Sequence, residues 1–335
     1  GEVMGKSEYG YYIDCRINDS FLALNKLFRE GVKVSRVNSP IIVSGVKYPA
    51  GMLYVSVTDL KKLEKVVEYT HLKAIPADAS PEASVVQPLK IALYQRYWGG
   101  NMDEGWTRWL LEQYEFEYTT VMDEEVKEGL EDYDVLIFPS DAPPLIVGEK
   151  VEEYYKERYK GARAAPLLPP EYKSGIGEEG VKKVNEFAEK GGTVITLYES
   201  CEYASEKMEV PVVNTLKDVE SKDFHCPGST IWVDIDNTHP LAYGMPEKEL
   251  ILLRGNHAYA VKANHNNENY KVVVSYPEEN MMKSGWLIGE KYLARKAAMI
   301  EAKKKDGRVI MYGFAPQMRA LTDASFKLFF NALVG

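Results

Sequence analysis

Apolar and polar stretches alternate along most of this chain with the spacing of strands and helices. From residue 90 onward, the apolar run Ile91 to Tyr94 precedes a helical pattern over residues 103–114. The run YDVLIFPS at 133–140 is typical of a buried strand, and TVITLY follows a helix that ends at Gly191-Gly192. Strands separated by helices of this length indicate a parallel sheet with helices on both faces. Residues 90–335 are therefore predicted to form an α/β domain.

The first 74 residues carry a shorter pattern of the same kind. A strand at Tyr11 to Cys15, an amphipathic helix after it and a second helix after Thr58-Asp59 predict a small α/β unit. Residues 75–89 contain three prolines together with Ala, Ser and Asp and show no periodicity. That composition is typical of a linker, so the predicted organisation is 1–74, linker 75–89, and 90–335.

The remaining chain adds two features to this picture. A Pro-, Tyr- and charge-rich excursion at 141–177 has the length of a functional lid or a contact surface. The last third is richer in strand, with a hairpin predicted at Asp306-Gly307 and a closing helix over 324–333.

Charge and composition exclude several classes of function. Fifty acidic against 41 basic residues give a net charge of −9, which argues against a nucleic-acid surface. No apolar run has the length of a membrane helix. Gly99-Gly100 lacks the dinucleotide fingerprint, and His265 with Glu268 has no third ligand at metal-site spacing. Neither a cofactor nor a metal is expected.

The junction TLYESCEYA is the first candidate for chemistry. A nucleophile between a strand and a helix gains an activating helix N-terminus, and Ser200 and Cys201 stand about where it would be, beside Glu199. The flanking glycines of such an elbow are missing, and two nearby carboxylates would raise the pKa of the thiol. A capped helix start with a small buried cysteine is favoured. The alternative is a thiol or serine hydrolase that uses His225 or His257 as its base.

A charged group at the first predicted helix is the second candidate. Asp103 and Glu104 fit the first helical turn, and Arg108 lies within reach of a carboxylate on the same helix. A structural ion pair is favoured. The functional alternative is that these three side chains, with Arg319 from the segment GFAPQMR, line a crevice at the strand ends.

Several longer motifs resemble one known family. They resemble the class I glutamine amidotransferase-like domain that follows the catalytic domain in a branch of the zinc carboxypeptidase (carboxypeptidase A-like) metallopeptidases. The resemblance covers about residues 90–335, and the 9–70 unit resembles the segment that joins the two parts. Its motifs are NMDEGWTRWLLEQYEF, YDVLIFPS, PPEYKSGIGEEGV, GGTVITL, HCPGS, HPLAYGM, SGWLIGE and GFAPQMRA…FKLFFNAL.

The resemblance implies a flavodoxin-like, doubly wound, mostly parallel sheet in a non-catalytic accessory domain. The elbow glycines and the late histidine of true amidotransferases are absent here, because Phe314 to Gln317 follow the last strand. The peptidase domain of the family would lie before Gly1 and is the expected partner, with a homo-oligomer as a further possibility. A third hypothesis is a carbohydrate- or peptide-binding module that uses Trp98, Trp106, Trp109 and the Tyr-rich excursion.

Overall fold

A computed structural model describes residues 1–97, 101–159, 174–262 and 267–335 of the chain. The first part forms a six-stranded sheet of order β1-β7-β2-β6-β3-β8, with a separate hairpin of β4 and β5. Its elements are β1 (Glu2–Val3), β2 (Gly10–Ile13), α1 (Asp19–Arg29), β3 (Val34–Val37), β4 (Ile41–Val43), β5 (Val46–Tyr48), β6 (Leu53–Ser56), α2 (Leu60–Thr70), β7 (Lys73–Pro76) and β8 (Ala83–Val85).

The second part builds a larger sheet with helices around it. Its elements are β9 (Ile91–Tyr94), α3 (Met102–Gln113), β10 (Tyr118–Val121), α4 (Asp123–Glu128), β11 (Val135–Phe138), α5 (Pro143–Val147), α6 (Val151–Tyr159), α7 (Gly177–Glu189), β12 (Thr193–Leu197), α8 (Ser200–Lys207), β13 (Val212–Asn214), β14 (Ser229–Ile235), β15 (Lys248–Leu253), β16 (Tyr259–Val261), β17 (Tyr270–Ser275), β18 (Met282–Ser284), β19 (Ala297–Lys304), β20 (Gly307–Tyr312) and α9 (Phe326–Phe330).

The strand order of this sheet defines the fold. Five parallel strands run β10-β9-β11-β12-β20, which is the order 2-1-3-4-5 of flavodoxin-like folds. The predicted flavodoxin-like α/β fold is confirmed, and antiparallel strands extend its parallel core beyond β20. The predicted hairpin joins β19 to β20, with Lys304 opposite Gly307.

The parallel strands β9, β11 and β12 are buried on both faces, which explains their largely apolar sequences. Alternate residues of β11, such as Ile137 and Phe138, belong to two separate cores. One core includes Leu110 and Leu111 of α3 together with α9, and the other includes residues of α7 and α8. The helices therefore cover both faces, as a doubly wound sheet requires.

The N-terminal unit and the larger sheet share one of these cores. The rings of Phe21 and Phe330 lie 5.1 Å apart, and the Arg36 guanidinium donates to the side-chain oxygen of Asn331. Residues 75–89, predicted to be a linker, include the end of β7 and all of β8, which pairs with β3. This stretch belongs to the small sheet, and the boundary between two domains stays a prediction. None of the described helices is long and apolar enough to cross a membrane.

Candidate functional site

The loops after β9 and β11 diverge at the carboxyl edge of the parallel sheet. This divergence is the topological switch point, where ligands bind in open α/β sheets. Asn101 connects the two loops and starts α3. Its side-chain oxygen accepts from the backbone N–H of Asp103 at 2.9 Å, and its amide donates to the carbonyl of Ser140 at 2.7 Å. The helix start is thus fixed to the neighbouring strand end.

Two buried carboxylates at this edge face arginines from other loops. Both oxygens of Asp103 accept from Nη2 of Arg254, at 3.0 and 2.8 Å. The Asp141 carboxylate lies 2.8 Å from Nε of Arg96, but the Nε–H does not point along a hydrogen bond, so this contact is ionic. Burial raises the pKa of Asp103, and it raises the pKa of Asp141 to about 6, against the opposing arginine in each case.

The predicted group Asp103, Glu104, Arg108 and Arg319 is only partly assembled. The intrahelical pair forms between Glu104 and Arg108, at 3.5 Å, whereas Asp103 turns to Arg254. Arg319 is exposed and lies 3.9 Å from the Met102 sulfur, and in the described part of the chain no ion pair joins it to either carboxylate. The structure thus joins Glu104 to Arg108 and Asp103 to Arg254, and a crevice lined by all four stays a prediction.

Sequence reasoning missed the two arginines that pair with the buried carboxylates. Arg254 directly follows β15, and Arg96 lies two residues beyond β9. Charged residues directly after apolar strands were the available signal, because strand ends project into the loops where sites form. The identity of their partners depends on which strands are neighbours, and local spacing does not contain that information.

The turn between β12 and α8 is occupied by Tyr198. Its φ is 57°, in the left-handed region, and this is the sharp strand-to-helix position that an elbow nucleophile occupies. The phenol ring is 5% exposed. It lies 4.2 Å from the His257 ring and 5.1 Å from the Arg254 guanidinium carbon. A tyrosine packed between two side chains therefore fills the elbow.

The predicted catalytic candidates next to it are differently placed. Ser200 is fully buried, donates to the carbonyl of Pro139 and accepts from the N–H of Asp141 at 3.0 Å. Cys201 is also fully buried, with Sγ 3.3 Å from the Tyr312 carbonyl, and burial raises the pKa of its thiol to about 12. Such buried surroundings are typical of side chains that serve the structure. The third candidate, Glu199, is partly exposed, and its Oε1 lies 3.1 Å from Nη1 of Arg158.

The two histidines proposed as bases lie in different places. His257 is buried beside the elbow, with Nδ1 3.3 Å from the Tyr259 hydroxyl, and burial with the nearby Arg254 lowers its pKa to about 3. His225 packs against Trp286, with ring centroids 5.1 Å apart. Among the described contacts, neither ring touches Ser200 or Cys201. His265 lies outside the described residues, within which no group of three His, Cys, Asp or Glu could hold a metal ion.

The tryptophans proposed as a binding platform contribute to packing. Trp106 and Trp109 meet edge to face at 5.5 Å, and each is partly buried against an apolar cluster. Trp98 lies outside the described residues. The two motifs DEGWTRW and GFAPQMR also meet at this point. The Gln317 amide donates to the Thr107 hydroxyl at 3.1 Å, and both side chains are fully buried.

No family model and no curated protein matches this chain. Among solved structures, it is similar to PurLQS from Thermotoga maritima, with 15% identity, a TM-score of 0.46, and coverage of 74% of this chain and 98% of that one. It is also similar to a protein described as a GMP synthase subunit from Thermoplasma acidophilum, with 12% identity, a TM-score of 0.44, and coverage of 74% and 93%. A ThuA-like protein from Bacteroides uniformis shares 11% identity, with a TM-score of 0.41 and coverage of 72% and 89%. Similarity at this level carries no argument about function, and the fold assignment rests on the strand order.

Proposed function

We propose that this chain is a non-catalytic, glutamine amidotransferase-like accessory domain of a zinc carboxypeptidase-like protein, acting in packing, oligomerisation or substrate presentation. The proposal that the domain is non-catalytic depends on the position of Tyr198. It holds the left-handed turn at which an elbow would present a nucleophile, and its ring is buried between His257 and Arg254. A phenol in that position has neither the exposure nor the thiolate character of a nucleophile.

The neighbouring thiol does not replace it. A thiol reacts as its anion, and an apolar surrounding disfavours that anion. Cys201 is fully buried, and the pKa of its thiol is raised to about 12. At neutral pH the reactive form is therefore rare, and the sulfur is covered by the surrounding residues.

The carboxypeptidase context is supported by the sequence motifs. DEGWTRW lies within α3, and GFAPQMR follows β20. Their contact through Thr107 and Gln317 gives both motifs a common structural task, which is to fix α3 against the end of the last strand. Such a task suits a domain whose family-specific residues serve packing.

Alkylation tests the proposal directly. We expect native protein treated with iodoacetamide near neutral pH to leave Cys201 unmodified, as judged by mass spectrometry of its peptides. Cys15 is the internal comparator, because it is 2% exposed and burial raises the pKa of its thiol to about 12 as well. Both should react after unfolding. Rapid labelling of native Cys201 alone would support the hydrolase alternative instead.

A turnover assay provides the second arm. Purified chain should hydrolyse neither glutamine nor a nitrophenyl ester above the rate of the Cys201→Ser variant. Activity that this substitution abolishes would overturn the proposal.

The carboxypeptidase context needs its own measurement. The natural polypeptide, expressed with the sequence that precedes Gly1, should contain one zinc per chain and cleave C-terminal residues from peptides. A longer polypeptide with neither property would remove this part of the proposal and leave the non-catalytic assignment standing.

A further inference from the structure

The carboxyl edge of the sheet beside Tyr198, called the cleft below, brings together three carboxylates from three different loops: Asp103, Asp141 and Glu199. Glu199 lies close enough to the other two to raise the pKa of each. Arg254 and Arg96, at the ends of β15 and β9, face Asp103 and Asp141. The loops of the sheet therefore bring together three negative and two positive charges. The third carboxylate, Glu199, pairs with a cation from outside these loops.

That cation comes from the excursion rather than from the sheet. Arg158, in the last turn of α6, places Nη1 3.1 Å from Oε1 of Glu199 and 2.6 Å from the Tyr154 hydroxyl. Its side chain is 46% exposed, compared with 12% for Arg96 and 28% for Arg254. Arg158 is thus the most exposed of the three arginines at this edge of the sheet.

The surroundings of this guanidinium suit a planar cation. Its central carbon lies 5.6 Å from the Tyr154 ring. Aromatic faces attract cations, and a carboxylate can accept two parallel hydrogen bonds from a guanidinium. The Nε–H of Arg254 is also buried in this cleft and has no acceptor among the described residues. An additional oxygen would satisfy it.

We propose that Glu199 forms a guanidinium-binding subsite, which Arg158 fills in the free protein and the side chain of an arginine ligand fills in its place. The ligand is free arginine, whose carboxylate supplies an acceptor for Nε of Arg254. A lysine would fit less well, because its ammonium is strongly hydrated and does not present a planar fork. This inference goes beyond the accessory role and does not depend on the carboxypeptidase context.

Calorimetric titration with L-arginine tests the subsite. L-Citrulline is the matched control ligand, since it keeps the backbone groups and replaces the guanidinium by a neutral urea. We expect Arg158→Gln to bind L-arginine about fivefold more tightly than the unchanged chain, because an internal competitor in a partly exposed ion pair is removed. Lys156→Gln, which removes another cation from the same helix, should change nothing.

Two further results decide the role of Glu199. Adding Glu199→Gln to Arg158→Gln should abolish L-arginine binding while thermal unfolding stays cooperative, and L-citrulline should bind no variant. The proposal is overturned if Arg158→Gln does not bind L-arginine, if it binds L-citrulline equally well, or if Glu199→Gln leaves binding intact. Each of these outcomes leaves the alkylation and turnover results unaffected, so the two proposals fail separately.

Discussion

Two strand-to-helix junctions at the same edge of the sheet differ in what they expose. Between β9 and α3, Asn101 caps the helix and Asp103 reaches across to Arg254 in another loop. Between β12 and α8, the backbone turns through Tyr198, and the side chains of Ser200 and Cys201 point into the interior. The first junction presents charge to the cleft, whereas the second presents an aromatic ring and hides its hydroxyl and thiol.

The difference shows that a nucleophilic residue type after a strand does not make a site. The hydroxyl of Ser200 is used by backbone groups of the neighbouring loop, at Pro139 and Asp141. That contact fixes the loops to each other in the way that Asn101 and Ser140 do at the first junction. The charged chemistry of the cleft comes from pairs that join distant strand ends.

The largest expected effect concerns the turn at Tyr198. Tyr198→Ala should destabilise the protein by about 4 kcal/mol, because a buried aromatic ring is removed. Tyr198→Gly should be more stable than Tyr198→Ala by about 0.5–1 kcal/mol, since φ of 57° strains alanine and not glycine. Free energies of unfolding from denaturant titrations measure both.

Tyr203 is the matched control for this difference in stability between the alanine and glycine variants. It is equally buried but lies inside α8, where glycine costs about 1 kcal/mol more than alanine. The order of the Ala and Gly variants should therefore reverse between the two positions. An identical order at both would contradict the left-handed turn.

A smaller loss is expected at the ion pair of the first junction. Arg254→Met should cost about 3 kcal/mol, because it leaves the Asp103 carboxylate, which is 6% exposed, without its partner. Adding Asp103→Asn should recover much of that loss. Arg295→Met is the control, since Arg295 and Glu278 are both exposed and such pairs contribute only about 0–1 kcal/mol. Equal effects of the two arginine substitutions would mean that Asp103 is not buried as described.

The fold could be predicted from the sequence more fully than the charged pairs of the site could, for a physical reason. Strands such as Ile91–Tyr94 and the hairpin at Asp306-Gly307 follow from local periodicity and turn chemistry, and the structure has both. The pair of Asp103 and Arg254 joins residues 151 positions apart, so it depends on the arrangement of the strands. Residues 75–89 show no periodicity because an edge strand such as β8 pairs on one side only and tolerates polar, proline-rich surroundings.

The last expected effect concerns Asp141 and has a defined pH dependence. Burial raises the pKa of Asp141 from 3.8 to about 6, so the folded protein holds a proton there more tightly than the unfolded chain does. The contribution of this carboxyl to stability therefore increases as pH falls from about 6 to about 4, and its ionisation is a penalty above that range. Asp141→Asn is always neutral and should be more stable than the unchanged protein at pH 7 by about 3 kcal/mol, since the pKa rises by about two units and each unit corresponds to about 1.4 kcal/mol.

That advantage should vanish by about pH 4, where the native carboxyl is protonated in the unchanged protein as well. Unfolding titrations at pH 4, 5, 6 and 7 measure the trend. A variant that is less stable at pH 7 would mean that attraction to Arg96 outweighs the burial of Asp141. The cleft would then be held together by its charges, and the second arginine-carboxylate pair would be as strong a structural element as the first.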